Sequence, residues 1–261
     1  MPLPILLALL VASSNAPALA IASSADLSTP QAAPACASEP SLTLARRGMV
    51  DVSELAPKVL VRLKYSVADN FMGEAVYGPD RACWLQREAA EKLAAAQREL
   101  TRRRPGWRLL LGDCLRPRAV QRRMWSLVAG TPKQRYVARP DPGSMHNHGA
   151  AVDVSIADET GAALDMGTPF DHFGPLAQPL IESRYLVEGR LTREQVENRQ
   201  LLREVMTAAG WRGIRIEWWH FEAFPVREIR ARFPIVEHWP DMAPGAPCVA
   251  ANWPDRAPDA P

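Results

Sequence analysis

Hydrophobic and polar positions change period several times along the chain, and each change marks an element. Residues 59–65 (VLVRLKY) alternate apolar and basic side chains, the period-two signature of a strand. Residues 68–79 gather Asn, Gly and Pro and read as a loop. From Gln86 to Arg103 apolar residues recur at helical spacing among Ala, Glu and Arg, and Pro105-Gly106 ends the run. The strongly apolar stretch from Trp107 to Leu115 predicts a second strand. Pro117 then stands where a helix can start, and residues 119–128 continue it. Residues 130–143, rich in Pro and Gly, predict a long loop, residues 150–156 a short strand, and residues 169–190 a further loop. Thr192-Arg193-Glu194-Gln195 matches a capping box opening a helix to Ala209, with Gly210 past its end. Residues 214–224, β-branched and aromatic, predict the last strand. Strands and helices mix without a βαβ rhythm. The expectation is an α+β fold: a single domain with a mainly antiparallel sheet flanked by helices.

The ends follow other rules. Residues 1–20 carry no charged side chain, Leu6 to Val11 are apolar, and Ala18-Leu19-Ala20 is a small-x-small site. This predicts a signal peptide cleaved after Ala20 and a protein exported to the periplasm or beyond. A plain Ala-rich leader is the alternative, since no Lys or Arg precedes the apolar run. That run is too short to span a bilayer, so no transmembrane segment is expected. Residues 21–45, rich in Ala, Ser and Pro, read as a linker, 46–239 as the folded domain, and 240–261 as a Pro-rich extension. The 24 prolines crowd these two ends.

Composition changes the picture mainly by exclusion. Lys+Arg 31 against Asp+Glu 29 leaves a formal charge of +2, so no basic excess points to nucleic acid. Four cysteines in an exported chain allow disulfides. Cys83 and Cys114 lie in the folded middle and Cys36 and Cys248 in the two ends, which favours Cys83–Cys114 and Cys36–Cys248 over buried free thiols.

Two segments carry chemistry: Ser144-Met145-His146-Asn147-His148-Gly149-Ala150-Ala151-Val152-Asp153 and Glu217-Trp218-Trp219-His220. A catalytic zinc needs about three protein ligands and an open position. His146, Asp153 and His220 would supply N, O and N, leaving Glu217 free as general base. His148, two residues from His146, is the rival ligand. The Glu217–His220 spacing suits a helix face better than a strand, where the two would point oppositely, so a strand end or bulge would be needed to bring them together. Of the five histidines, His172 and His238 have no partner at a telling spacing.

The pattern SxHxxGxAxD followed by ExxH resembles the signature of the zinc D-alanyl-D-alanine dipeptidases of the vancomycin-resistance type, relatives of the zinc D,D-carboxypeptidases and of the Hedgehog signalling domain. Residues 65–71 (YSVADNF), 113–117 (DCLRP), 164–171 (LDMGTPFD) and 198–202 (NRQLL) extend the resemblance over about residues 50–236. It implies one Zn2+ per chain at the sheet, held by His146, Asp153 and His220, with Glu217 as general base and Arg116 stabilising the oxyanion. It further implies that Asp171 and Ser144 receive the substrate's free amino group and that Tyr65 helps close the pocket. His148 becomes a neighbour of the metal. Leu115 stands where the family usually carries Tyr or a similar residue, and Cys114 also departs from the pattern; a disulfide there would tether the arginine's loop.

The resemblance thus implies an exported zinc metallopeptidase hydrolysing the D-alanyl-D-alanine dipeptide. The alternatives are a zinc D,D- or L,D-carboxypeptidase trimming peptidoglycan stems and a zinc-stabilised binding module without turnover. Export would place the enzyme with dipeptide released from the wall rather than with the cytosolic precursor.

Overall fold

The computed structural model describes residues 39–77 and 82–240. The proposed signal peptide, most of the linker, Cys36, Cys248 and residues 241–261 lie outside the described residues.

The chain opens with α1 (Glu39–Arg46), β1 (Met49–Asp51) and α2 (Val52–Leu55). Asp51 caps α2, accepting from the Ser53 amide at 2.9 Å. Then come β2 (Leu60–Val61), a 3-10 turn at Lys64–Ser66, and β3 (Trp84–Gln86) running into α3 (Arg87–Arg103). β4 (Arg108–Asp113), α4 (Arg118–Val128) and β5 (Ala151–Ala157) follow, then α5 (Glu182–Val187), α6 (Arg193–Ala208), β6 (Arg212–Gly213), β7 (His220–Glu222) and α7 (Val226–Arg232). β1 and β3 form a small antiparallel ribbon. The other five strands form one sheet in the order β2-β4-β5-β7-β6, antiparallel except for the β2–β4 pair. Helices on a mainly antiparallel sheet make the fold α+β.

Burial explains the elements. α3 buries Ala89, Ala90, Leu93, Ala94, Ala96, Gln97 and Leu100, an i, i+3, i+4, i+7 stripe that packs on β4 and α6. α6 carries the capping box read from sequence, Thr192 with Gln195, and buries Leu202, Val205 and Met206. All seven residues of β5 are buried, as befits a strand flanked on both edges by β4 and β7.

Register decides what the sheet presents. Asp113 of β4 pairs with Asp153 of β5, and Asp153 pairs with His220 of β7. Directly opposed residues share a face, so Asp113, Asp153 and His220 form one row across three strands. Neighbouring Val152, Val154 and Phe221 enter the core. The β4–β5 register shifts between Leu111 and Asp113. Gly112 sits at this shift, where a Cβ would stand 2.9 Å from the Phe170 ring.

Four segments differ from the sequence reading. Only Leu60–Val61 of residues 59–65 pairs as strand; a 3-10 turn then buries Tyr65. Residues 169–190 are not all loop, because α5 and two 3-10 turns form there. Glu182, at the start of α5, is buried against Arg199 and Arg203, a tertiary anchor that local patterning does not reveal. Of residues 214–224 only His220–Glu222 pairs with β5; the chain bends through 215–219 instead. Finally, α1 starts inside the stretch read as linker, with Leu44 in the core.

Candidate active site

His146 lies in the 3-10 turn Met145–His148 that precedes β5. Ser144 caps this turn, its Oγ accepting from the His146 amide at 3.3 Å, and Asn147 completes a reciprocal box. Gly149 ends the turn with φ +65°, a left-handed conformation that lets the chain enter β5. Asn147 is fully buried and donates to the Arg116 carbonyl at 2.7 Å, fixing the turn to the arginine's loop. The Arg116 amide donates to the His146 carbonyl at 3.1 Å, a second tie.

The turn brings His146 to the Asp153–His220 row. His146 Nε2 lies 3.1 Å from His220 Nδ1 and 3.3 Å from Asp153 Oδ1, and His220 Nδ1 lies 3.1 Å from the same oxygen. A tetrahedral ion with N and O ligands at about 2.0–2.1 Å has ligand–ligand edges of about 3.3 Å. The triangle therefore has the size and donor set of three zinc ligands. The outer nitrogens agree with this. His146 Nδ1 is 2.7 Å from the Cys114 carbonyl, which requires the proton on Nδ1 and leaves Nε2 a lone pair. His220 turns its Nε2 toward Glu222, 3.9 Å away, leaving Nδ1 facing inward.

Charge ties the cluster together. Burial opposes ionisation of Asp153, yet His146 and His220 hold its carboxyl well below the usual range. Burial also works against the His220 cation, but hydrogen bonding to Asp153 and the Glu222 carboxylate push its pKa up to about 10. A cation among these groups takes over the role of that proton.

The three residues line a cavity of about 280 Å³, together with Arg116, Asp171 and Glu217. Glu217 is pushed up to about 8, chiefly by burial, with Asp153 and Asp171 adding to it. It stands ahead of β7 on the bent segment, not on the strand, so the Glu217–His220 spacing does not send the two to opposite faces. Trp218 and Trp219 split their tasks. Trp219 lines the cavity. Trp218 stacks on Phe170 and donates to Thr168 Oγ1 at 2.8 Å.

Arg116 is buried and tightly held. Its Nε donates to Asp113 Oδ2 at 2.7 Å, Nη1 to Gln121 Oε1 at 3.1 Å and Nη2 to Asp153 Oδ2 at 3.3 Å. Burial opposes its charge, but Asp113, Tyr65, Tyr77 and Asp153 together outweigh burial and hold its pKa well above the usual arginine value. Asp113 in turn accepts from Tyr77 Oη at 2.6 Å. Cys114, inside this segment, is bonded to Cys83 with Cα atoms 5.5 Å apart.

Asp171 adopts φ +58°, and Tyr65 Oη lies 2.9 Å from both its carboxylate oxygens. Burial, then the Asp153 charge, pushes its pKa up to about 7. Fully buried Arg199 holds its loop from both sides, donating to the Met166 carbonyl at 2.6 Å and the Leu176 carbonyl at 2.9 Å. His148 points elsewhere: its Nδ1 is 2.6 Å from the Phe233 carbonyl, and burial lowers its pKa.

Asp113, Asn147, Gln121, Glu222 and Arg199 are the residues that sequence reading did not single out. Asp113, Asn147 and Arg199 lie inside the motifs already quoted. The others act through contacts across the fold that no local spacing announces.

A family profile described as D-ala-D-ala dipeptidase matches residues 45–236. The chain is 34% identical over 178 residues to a D-alanyl-D-alanine dipeptidase of Escherichia coli K12, covering 67% of this chain and 83% of that protein. It is 28% identical over 192 residues to the D-alanyl-D-alanine dipeptidase of Enterococcus faecium, covering 67% and 90%. The enzyme of that name from Enterococcus faecalis V583 is 25% identical over 191 residues, covering 67% and 91%.

Proposed function

Since this chain belongs to the D-Ala-D-Ala dipeptidase family of peptidases, we propose that it hydrolyses D-alanyl-D-alanine to free D-alanine at the His146–Asp153–His220 centre. The observation that carries this reading is the convergence of a zinc-sized donor triangle with Glu217, Arg116 and Asp171 in one cavity.

His146 Nε2, Asp153 Oδ1 and His220 Nδ1 would hold the zinc. When bound, the metal acidifies a water and polarises the peptide carbonyl. Glu217 takes the proton of the attacking water and hands it to the leaving amine. Its burial gives the carboxyl the high proton affinity that this shuttle requires. Arg116, fixed by Asp113 and Gln121, faces the negative charge that grows on the carbonyl oxygen and needs no reorientation as it appears. Asp171, oriented by Tyr65, receives the substrate's ammonium together with Ser144. An ammonium-reading carboxylate favours dipeptides over longer chains, whose corresponding nitrogen is an uncharged amide. This favours the dipeptidase over a carboxypeptidase. A binding module would need neither Glu217 nor Arg116. Export, proposed from residues 1–20, makes the natural substrate dipeptide released from peptidoglycan.

The test is to incubate the mature zinc-loaded protein with D-alanyl-D-alanine, D-alanyl-D-lactate and a pentapeptide stem, with and without chelator. Dipeptide cleavage that chelator abolishes and zinc restores is expected, with the stem left intact. Cleavage of the stem alone would replace this reading with the carboxypeptidase.

Asp171 also sets a pH dependence. Burial and the Asp153 charge raise its pKa to about 7, and a divalent cation at the triangle offsets the second of these, so with the metal in place the carboxyl loses its charge, and its pairing with an ammonium, below that value. KM for the dipeptide is therefore expected to rise as pH falls from 7 to 5, approaching about tenfold per unit below the Asp171 pKa. Asp171→Asn should flatten this slope while raising KM throughout. A wild-type KM constant across the window would remove Asp171 from the ammonium site.

A further inference from the structure

The cavity is lined by three guanidinium groups, and they differ in what already holds them. Arg116 is committed to Asp113, Gln121 and Asp153. Arg135 leaves the 3-10 turn Pro132–Tyr136 and lies over the Tyr136 ring, 5.6 Å from its centroid. Tyr136 packs edge-on against Phe173, two residues beyond Asp171. Arg135 thus belongs to the wall that carries Asp171. Arg230 comes from α7, on the segment that leaves the sheet just after His220. It is exposed, lines the cavity with Val226 of the same helix, and has no carboxylate partner among the described residues. Glu222, the acid on this wall, faces His220 Nε2 at 3.9 Å.

A dipeptide is a zwitterion. With its ammonium at Asp171 and its scissile carbonyl at the donor triangle, the second residue must run away from Asp171. Its carboxylate then needs a donor that neither Asp171 nor the engaged Arg116 supplies, because a charge left unpaired in a cavity is costly. We propose that Arg230 receives the C-terminal carboxylate of the leaving residue and makes that carboxylate a specificity determinant. The inference rests on the dipeptidase reading and adds the second end of the substrate to it.

The test compares kcat/KM for D-alanyl-D-alanine and D-alanyl-D-alaninamide, using the zinc-loaded full chain and its Arg230→Ala, Arg230→Lys and Arg135→Ala variants. The wild type is expected to prefer the acid by about 10- to 100-fold, the range of a hydrogen bond to a charged group. Arg230→Ala should erase most of that preference by raising KM for the acid while amide cleavage persists, which also shows that the variant is folded. Arg230→Lys should restore part of the preference, and Arg135→Ala should keep it. Undiminished preference in Arg230→Ala, or its loss in Arg135→Ala, overturns the assignment while leaving the dipeptidase reading intact. A wild type that cleaves neither compound overturns both.

Discussion

Glu217→Gln is expected to bind zinc like the wild type and to lose about 10²- to 10⁴-fold in kcat, the usual share of a positioned general acid–base group. Glutamine keeps the size and hydrogen-bonding reach of the side chain but cannot accept and return a proton. The carboxyl of Glu217 is pushed up to about 8, chiefly by burial, with Asp153 and Asp171 contributing. In the metal-free protein it is therefore largely protonated at neutral pH. A divalent cation at the adjoining triangle lowers its pKa, so the base forms when the metal is in place. If proton transfer is the whole of its task, kcat and kcat/KM should fall together, since the interaction arises only in the transition state. Metal analysis of the purified variant and steady-state kinetics on D-alanyl-D-alanine provide the check. Near-normal turnover with full zinc occupancy would move the base role to another group.

What the sequence discloses here depends on how local the cause is. The capping box at Thr192 and the stripe of α3 are spelled out over a few residues, and both form as read. The donors His146, Asp153 and His220 were legible as residue types at characteristic spacings, but the choice between His146 and His148 was not. That choice is made by hydrogen bonds from distant segments: Cys114 orders one ring and Phe233 the other. The start of the last strand differs from its sequence pattern for a similar reason. Residues 214–219 have strand-like composition, yet Ile214, Ile216 and Glu217 line the cavity instead of pairing as strand. α5 has no local sequence signal because a buried ion pair with α6 anchors it rather than any cap of its own. Asp113 shows the same limit: its value lies in register, opposite Asp153 and within reach of Arg116.

The two histidines of the 3-10 turn give the sharpest contrast. His146→Ala removes a buried ring whose Nε2 completes the donor triangle and whose Nδ1 is tied to the Cys114 carbonyl. Two donors cannot hold zinc as three do, and zinc affinity should fall well beyond the about 10- to 100-fold typical of losing an outer partner. Activity should disappear with the metal. His148→Ala loses the bond to the Phe233 carbonyl, between the turn and the end of α7, and the packing of a buried ring. It should cost about 2–3 kcal/mol in stability, for one buried hydrogen bond and the space left by the ring, and leave zinc stoichiometry unchanged. Competition against a chromophoric chelator measures affinity in both variants, and thermal unfolding of the zinc-loaded forms separates lost metal from lost packing. A His148→Ala protein without zinc beside a zinc-replete His146→Ala protein would exchange the two assignments. It would also require the turn to rotate, breaking the ties that Asn147 makes to Arg116 and Ser144.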